Sequence, residues 1–213
     1  MLNRPRILIA DDHLLLAELC KRYLEAEFEV VGIVGNGREL VNMAPKVKPD
    51  AIVLDIWMPI LNGLDAGEQI KRILPAAKLV YLTMNSDVQL AVEALARGAT
   101  GYLLKTCACS ELIVAVRSVL QGKPYLSFGL SKDEINAARW ERERTTGGRE
   151  QLTGRQREVL QLLAEGRVMK EIAGILNMTP RTVAFHKYKI MSTLGVRTNA
   201  ELVRHAVRSR MVA

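Results

Sequence analysis

Five short apolar runs, rich in β-branched residues and separated by helical stretches, restrict this chain more than anything else in it. They are Ile7-Leu8-Ile9-Ala10, Val30-Val31-Gly32-Ile33-Val34, Ala51-Ile52-Val53-Leu54, Leu79-Val80-Tyr81-Leu82 and Gly101-Tyr102-Leu103-Leu104. Runs that are apolar on both faces belong to parallel strands covered by helices on both sides. The pattern therefore predicts an α/β doubly wound fold with a five-stranded parallel sheet. Four of the runs are followed at once by a polar residue or pair: Asp11-Asp12, Asp55, Thr83 and Lys105. In such a sheet the carboxyl ends of the strands open onto one crevice. Three acids, a hydroxyl and an ammonium are thus expected to share a single site.

Clustered carboxylates repel, so a cation is expected among them. Hard oxygen ligands at a strand-end cleft suit Mg²⁺, which keeps several waters and takes one or two carboxylates plus a phosphate. A carboxylate beside such an ion is a candidate phosphoryl acceptor. Phosphoryl transfer needs mainly positioning and charge neutralisation, which Mg²⁺, Lys105 and Thr83 would supply. Asp55 is the candidate acceptor, since it stands alone after the third run whereas Asp11 and Asp12 form a pair. Any one of these residues taken singly is an ordinary strand-end polar group; their joint placement carries the reading. The Asp-x-Asp nucleophile of haloacid-dehalogenase-like phosphatases is absent, because Asp55 is followed by Ile56-Trp57. A phosphoester-hydrolysing enzyme is therefore not expected.

The segments Ala10-Asp11-Asp12-His13, Leu54-Asp55-Ile56-Trp57-Met58-Pro59, Leu61-Asn62-Gly63-Leu64, Leu82-Thr83 and Gly101-Tyr102-Leu103-Leu104-Lys105 occur in this order and spacing. On them, residues 1 to about 120 resemble the flavodoxin-like receiver domain of bacterial response regulators. The resemblance implies Asp55 as phosphoacceptor and Asp12 as a direct Mg²⁺ ligand. It has Asp11 acting largely through water and the backbone carbonyl of Trp57 completing the protein ligands. It also implies a switch in which Thr83 moves toward the phosphoryl group, Tyr102 changes its packing and Lys105 pairs with the phosphoryl oxygens. His13 is expected to be an ordinary surface or packing residue.

Charge divides the chain. Residues 149–213 carry 12 Lys and Arg against 5 Asp and Glu, a surplus of seven that accounts for the whole formal net charge of +7. Residues 1–148 carry 18 of each sign. A neutral domain joined to a small basic one points to a polyanionic partner for the second. No apolar run approaches the length of a membrane helix and no secretory pattern opens the chain, so a cytoplasmic protein without membrane contact is expected. Three cysteines, Cys20, Cys107 and Cys109, fit a reduced compartment. Cys107-Ala108-Cys109 lacks the second pair that a zinc site needs.

The expected boundaries are a receiver over 1–121, a partly helical linker over 122–150 and a basic domain over 151–213. Gly122-Lys123-Pro124 stops the last receiver helix. Ser131 with Glu134 three residues on predicts a helix over 131–144. Thr145-Thr146-Gly147-Gly148 reads as a flexible joint. In the basic domain, Thr153 and Gln156 form a capping-box start before Val159, Leu160, Leu162 and Leu163. A short helix is expected from Lys170 to Leu176, then a turn at Asn177-Met178. Thr179-Pro180 opens a third helix, with a capping hydroxyl and Pro at the first helical position, and Gly195 closes it. Val183, Ile190 and Leu194 make its inner stripe, while Arg181, Ala184, Phe185, Tyr188 and Ser192 share the other side. Two helices joined by a tight turn, the second basic and outward, predict a helix-turn-helix.

Residues 152 to about 210 then resemble the LuxR-type output domain of the NarL/FixJ class of response regulators. The matching pieces are Leu152-Thr153, Arg157-Glu158-Val159-Leu160, Leu163-Ala164-Glu165-Gly166, Lys170-Glu171-Ile172-Ala173, Thr182-Val183, His186, Leu194-Gly195-Val196 and Ala200-Glu201-Leu202-Val203. The resemblance implies an all-α four-helix domain that binds double-stranded operator DNA as a homodimer formed on phosphorylation by a sensor histidine kinase. Its last helix, about 198–208, would lie at the dimer contact. The candidate DNA contacts are Lys170, Arg181, Thr182, Ala184, Phe185, His186, Lys187, Tyr188 and Lys189. Ala184 and Phe185 suit thymine methyl groups, Arg181 a guanine or a phosphate, and Lys187 and Lys189 phosphates. Val168 stands where the family commonly has a Ser or Thr that caps the second helix.

Overall fold

The computed structural model describes residues 4–84, 86–145 and 152–212. They form two compact units, each with its own core.

In the N-terminal unit, strands and helices alternate: β1 (Arg6–Ala10), α1 (Leu14–Leu24), β2 (Glu29–Val34), α2 (Gly37–Val47), β3 (Ala51–Asp55), α3 (Gly63–Ile73), β4 (Lys78–Thr83), α4 (Val88–Ala96), β5 (Gly101–Leu104), α5 (Ala108–Leu120), β6 (Tyr125–Leu126) and α6 (Lys132–Thr145). All neighbouring strands pair in parallel, in the order β2-β1-β3-β4-β5-β6. The β3 run is buried throughout and β4 almost so, as central strands covered on both faces must be. Residues Ile7, Ile9, Val53, Val80, Leu82 and Leu103 share one core with Leu112, Val116 and Val119 of α5. The register fixes the strand ends: Ala10 lies beside Leu54, Asp55 beside Leu82 and Thr83 beside Leu104. The four polar strand-end positions therefore come out on one edge of the sheet.

Gly63 is required by close approach. A Cβ there would lie 1.9 Å from the carbonyl oxygen of Asp55, so only glycine lets α3 begin against the end of β3. The start of α3 is secured by Asn62, whose side chain accepts from the Asp65 amide at 2.9 Å.

The sheet has six strands, one more than the apolar runs indicated. Residues Tyr125 and Leu126 add to the edge of β5, with Gly101 beside Tyr125 and Tyr102 beside Leu126. The Ser127 amide donates to the Tyr102 carbonyl at 2.9 Å. A two-residue strand after Pro124 has no periodicity to detect, and its partner strand, not its own sequence, makes it a strand. The following chain also joins this unit. Ser127 is buried with its hydroxyl 2.5 Å from Glu111, and α6 packs on α4 with Ile135 and Ala138 buried. The Glu134 amide donates to Ser131 Oγ at 3.3 Å, the cap expected there. Of the expected joint, Thr145 ends α6, and Thr146-Gly147-Gly148 lie outside the described residues.

The C-terminal unit comprises α7 (Gly154–Ala164), α8 (Met169–Ile175), α9 (Pro180–Leu194) and α10 (Asn199–Arg208). Its core gathers Val159, Leu160, Leu162, Ile172, Ala173, Leu176, Val183, Ile190, Leu202 and Ala206. The Thr153–Gln156 capping box closes as expected, with the Thr153 amide donating to Gln156 Oε1 at 2.8 Å. Thr179 Oγ1 accepts from the Thr182 amide at 3.1 Å, and Gly195 ends α9 in a left-handed conformation at φ 66°. No helix among the described residues is long and apolar enough to cross a membrane.

Candidate functional site

The turn after β1 carries Asp11, Asp12 and His13, and β3 ends on Asp55. Lys105 follows β5 immediately, and its ammonium lies 2.8 Å from Asp11 Oδ2 and 2.9 Å from Asp55 Oδ2. The Lys105 side chain is only 5% exposed, and those of Asp11 and Asp55 are 2% and 3% exposed. Burial raises the pKa of Asp55, with Lys105 pulling the other way and the Trp57 amide hydrogen bond to the carboxylate assisting it. For Lys105, burial favours the neutral amine, but the charges of Asp55 and Asp11 prevail and its pKa stands above the usual lysine value. The ammonium is thus charged, fixed and nearly dry between two carboxylates.

Ligand atoms of Asp11, Asp12, His13 and Asp55 all lie within 4.8 Å of one another. The oxygen-rich donor set fits a divalent cation. Asp12 is more open than Asp11, and Trp57 is half-buried in the turn beyond β3. Thr83 is wholly buried at the end of β4. Tyr102 is wholly buried within β5, beside Tyr81 on one side and Leu126 on the other, and so lies inside the sheet rather than at its end. The structure therefore brings Asp11, Asp12, Asp55 and Lys105 together, with Thr83 on the same sheet edge and Tyr102 behind it.

Two features escaped the sequence reading. His13 belongs to the carboxylate cluster; the only sign was its place directly after the acid pair. Arg97, at the end of α4, is mostly covered and holds Asp65 at 2.7 Å, Glu68 at 3.3 Å and Glu93 at 2.6 Å, tying α4 to α3. Three acids and one arginine spread over 33 positions leave no local pattern.

On the C-terminal unit, α9 exposes Arg181, Phe185, Tyr188 and Lys189, while Thr182, Ala184, His186 and Lys187 are half-buried and Lys170 projects from α8. Phe185 and Tyr188 are 66% and 65% exposed, unusual for large aromatics in a folded domain. The Phe185 and His186 rings meet edge to face with centroids 5.8 Å apart. The Thr182 hydroxyl is 2.9 Å from that of Thr179, so part of its hydrogen bonding serves the helix start.

Residues 7–117 match the family of response regulator receiver domains, and residues 150–206 match the bacterial regulatory proteins of the luxR family. The chain is a response regulator. It is 33% identical over 217 residues to the transcriptional regulatory protein MctR of Rhizobium johnstonii, covering 100% of this chain and 99% of that one. It is 32% identical over 214 residues to the oxygen regulatory protein NreC of Staphylococcus aureus, covering 97% and 99%. Among solved structures, RcsB of Salmonella typhimurium is similar with a TM-score of 0.62 and 26% identity over 100% of both chains. RcsB bound to promoter rprA in the presence of the phosphomimetic BeF₃⁻ matches with a TM-score of 0.59 and 28% identity, covering 95% of this chain and 98% of that one. This response regulator is accordingly a DNA-binding transcription regulator and not an enzyme.

Proposed function

We propose that this regulator is switched by phosphorylation of Asp55. A sensor histidine kinase presents a phosphohistidine; an Asp55 carboxylate oxygen attacks phosphorus, the N–P bond breaks and the electron pair returns to the imidazole. Asp11, Asp12, Asp55 and the Trp57 carbonyl would hold Mg²⁺, which when bound neutralises charge on the transferring oxygens. Lys105 then exchanges its Asp55 oxygen for a phosphoryl oxygen while keeping Asp11. Thr83 closes on the phosphoryl group, and Tyr102 repacks behind it. Receivers pair, and two output domains place α9 in successive major grooves of operator DNA. Arg181, Ala184, Phe185 and Tyr188 face bases or sugar, with Thr182 and His186 beside them, and Lys170, Lys187 and Lys189 reach phosphates. The cytoplasm is the compartment this reading requires.

The observation that carries the proposal is the buried Lys105 ammonium bridging Asp11 and Asp55 at 2.8 and 2.9 Å. RcsB, a similar chain, binds promoter rprA in the presence of the phosphomimetic BeF₃⁻, which is in keeping with this reading. Incubation with a small phosphodonor and Mg²⁺ should label the wild type and leave Asp55→Asn unlabelled. Equal labelling of the variant would overturn the acceptor assignment.

A further inference from the structure

The turn that follows Asp55 leads straight into a block of buried polar residues at the start of α3. The Gly63 amide donates to the Ile56 carbonyl at 2.8 Å, and the Gly63 backbone lies too close to the Asp55 carbonyl to admit a methyl group. Asn62 and Asp65 are both buried. The Asn62 side chain accepts from the Asp65 amide at 2.9 Å and donates to Asp65 Oδ2 at 3.1 Å. The wholly buried Tyr81 of β4 brings its hydroxyl within 3.4 Å of the Gly63 carbonyl, and a Cβ at Gly67 would meet that hydroxyl at 2.0 Å. A block packed this closely passes on a displacement rather than absorbing it.

Arg97, at the C-terminal end of α4, fastens the block to that helix. Its Nη1 lies 2.7 Å from Asp65 Oδ1 and 3.3 Å from Glu68 Oε2, both on α3, while its Nη2 lies 2.6 Å from Glu93 Oε1 on α4. The bond to Glu93 holds the guanidinium against its own helix. The bonds to α3 therefore locate the helix, and not merely the tip of a flexible side chain. Stability alone does not call for such a group, since a buried ion pair is often no better than apolar packing of similar volume. On α4 in turn packs α6, the last helix before the DNA-binding unit, with Ile135 and Ala138 buried.

An unbroken series of contacts thus runs from the Asp55 turn through the start of α3 to Arg97, α4 and α6. It does not pass through Thr83 or Tyr102. Chains of packed side chains and ion pairs of this kind can carry coupling between separated sites. We infer that Arg97 is a positioning residue that transmits the phosphorylation state of Asp55, through α3 and α4, to the linker helix α6. The forked guanidinium is essential to this role. A lysine ammonium is a point charge on a flexible stem and does not hold two helices in one fixed geometry. The inference rests on the reading of Asp55 as phosphoacceptor, and adds to it a path toward the output domain.

The test is hydrogen–deuterium exchange of the full-length protein with and without BeF₃⁻ and Mg²⁺, alongside labelling by a small phosphodonor. In the wild type the phosphomimetic should shift exchange of the α6 amides about fivefold, the low end of coupling between sites, and in Arg97→Lys by less than about twofold. Labelling of Asp55, and the exchange shift around Thr83, should stay at wild-type levels in the variant. A wild-type shift in α6 of Arg97→Lys, or a wild type whose α6 is unmoved while Thr83 responds, would overturn the role of Arg97. So would loss of labelling in Arg97→Lys, because Arg97 would then merely hold the receiver together. No labelling of the wild type would overturn the phosphoacceptor reading itself, and this inference with it.

Discussion

The two units of this regulator treat charge in opposite ways. In the first, the Lys105 ammonium is 5% exposed between Asp11 and Asp55, and Arg97 is enclosed by Asp65, Glu68 and Glu93. In the second, Arg181 and Lys189 stand in solvent along α9. Water and salt screen the exposed cations, so each is individually weak and the set works by number, which suits a long polyanion. The buried groups are screened little, act through one or two fixed partners, and cannot lose a partner cheaply. The same residue type is thus a geometric part of a chemical site in one unit and an increment of field in the other.

The sharpest way to break this contrast is Lys105→Met. It leaves Asp11 and Asp55 facing each other with no cation, and should lower unfolding free energy at neutral pH without added metal by about 3 kcal/mol. Divalent cations should restore part of that loss by taking over the neutralising role. A urea midpoint equal to wild type, with or without cation, would mean that the pocket is as well solvated as a surface site.

Asp55→Asn should act in the opposite direction. Burial raises the folded-state pKa of Asp55 above its ordinary value of 3.8, against the pull of Lys105. A group raised in this way favours folding fully below its unfolded pKa and loses that contribution as pH climbs through the folded value. Ionised Asp55 is therefore a net cost at neutral pH, and Asn should stabilise the metal-free protein by about 1 kcal/mol, as is common where a site is held for function. The gap between the two proteins should close as pH falls below that of a free carboxylate. A gap that widens in acid would show that Lys105 outweighs burial at this position.

The legibility of the molecule follows the same division. Each central strand announced itself, because burial on both faces forces a continuous apolar run, and the polar residue after each run marked the crevice. Caps such as Thr153 with Gln156 and Thr179 with Pro180 were legible because their chemistry is local. The strand Tyr125–Leu126 was not, since pairing with Gly101 and Tyr102 is all that makes it one. The Arg97 cluster was hidden for a related reason: its partners on α3 come from a distant stretch of chain. His13 is the surface residue it was expected to be, and only its ring's approach to Asp12 at 2.9 Å was hidden, since ring direction leaves no mark in sequence.

The surface half of the contrast predicts smaller, graded effects. Lys187→Ala and Lys189→Ala should each weaken operator and non-operator DNA to a similar degree. Each should also reduce the slope of log affinity against log salt by about 0.9, the share of one phosphate. Arg181→Ala should instead cost more on operator than on random DNA if its guanidinium reads a base. A loss at Lys187 or Lys189 confined to operator sequence would place that lysine among the base readers and blur the division drawn above.

The smallest effect tests local chemistry alone. Val168 caps α8 and, although its amide donates to Glu171 Oε2 at 3.0 Å, it has no side-chain oxygen to offer the helix in return. Its backbone is extended at φ −79° and ψ 155°, as a Ser or Thr cap requires, and its side chain is 61% exposed, so little apolar burial is at stake. Val168→Thr supplies a hydroxyl for the Glu171 amide and completes the reciprocal pair that Thr153 makes with Gln156. The gain should be about 1 kcal/mol in thermal or urea unfolding of the C-terminal unit, with nothing changed at the acid pocket. No gain would mean that the α8 amides are already satisfied by water at this exposed end. A loss would mean that the Val168 methyl groups pack on α8 more than their exposure indicates.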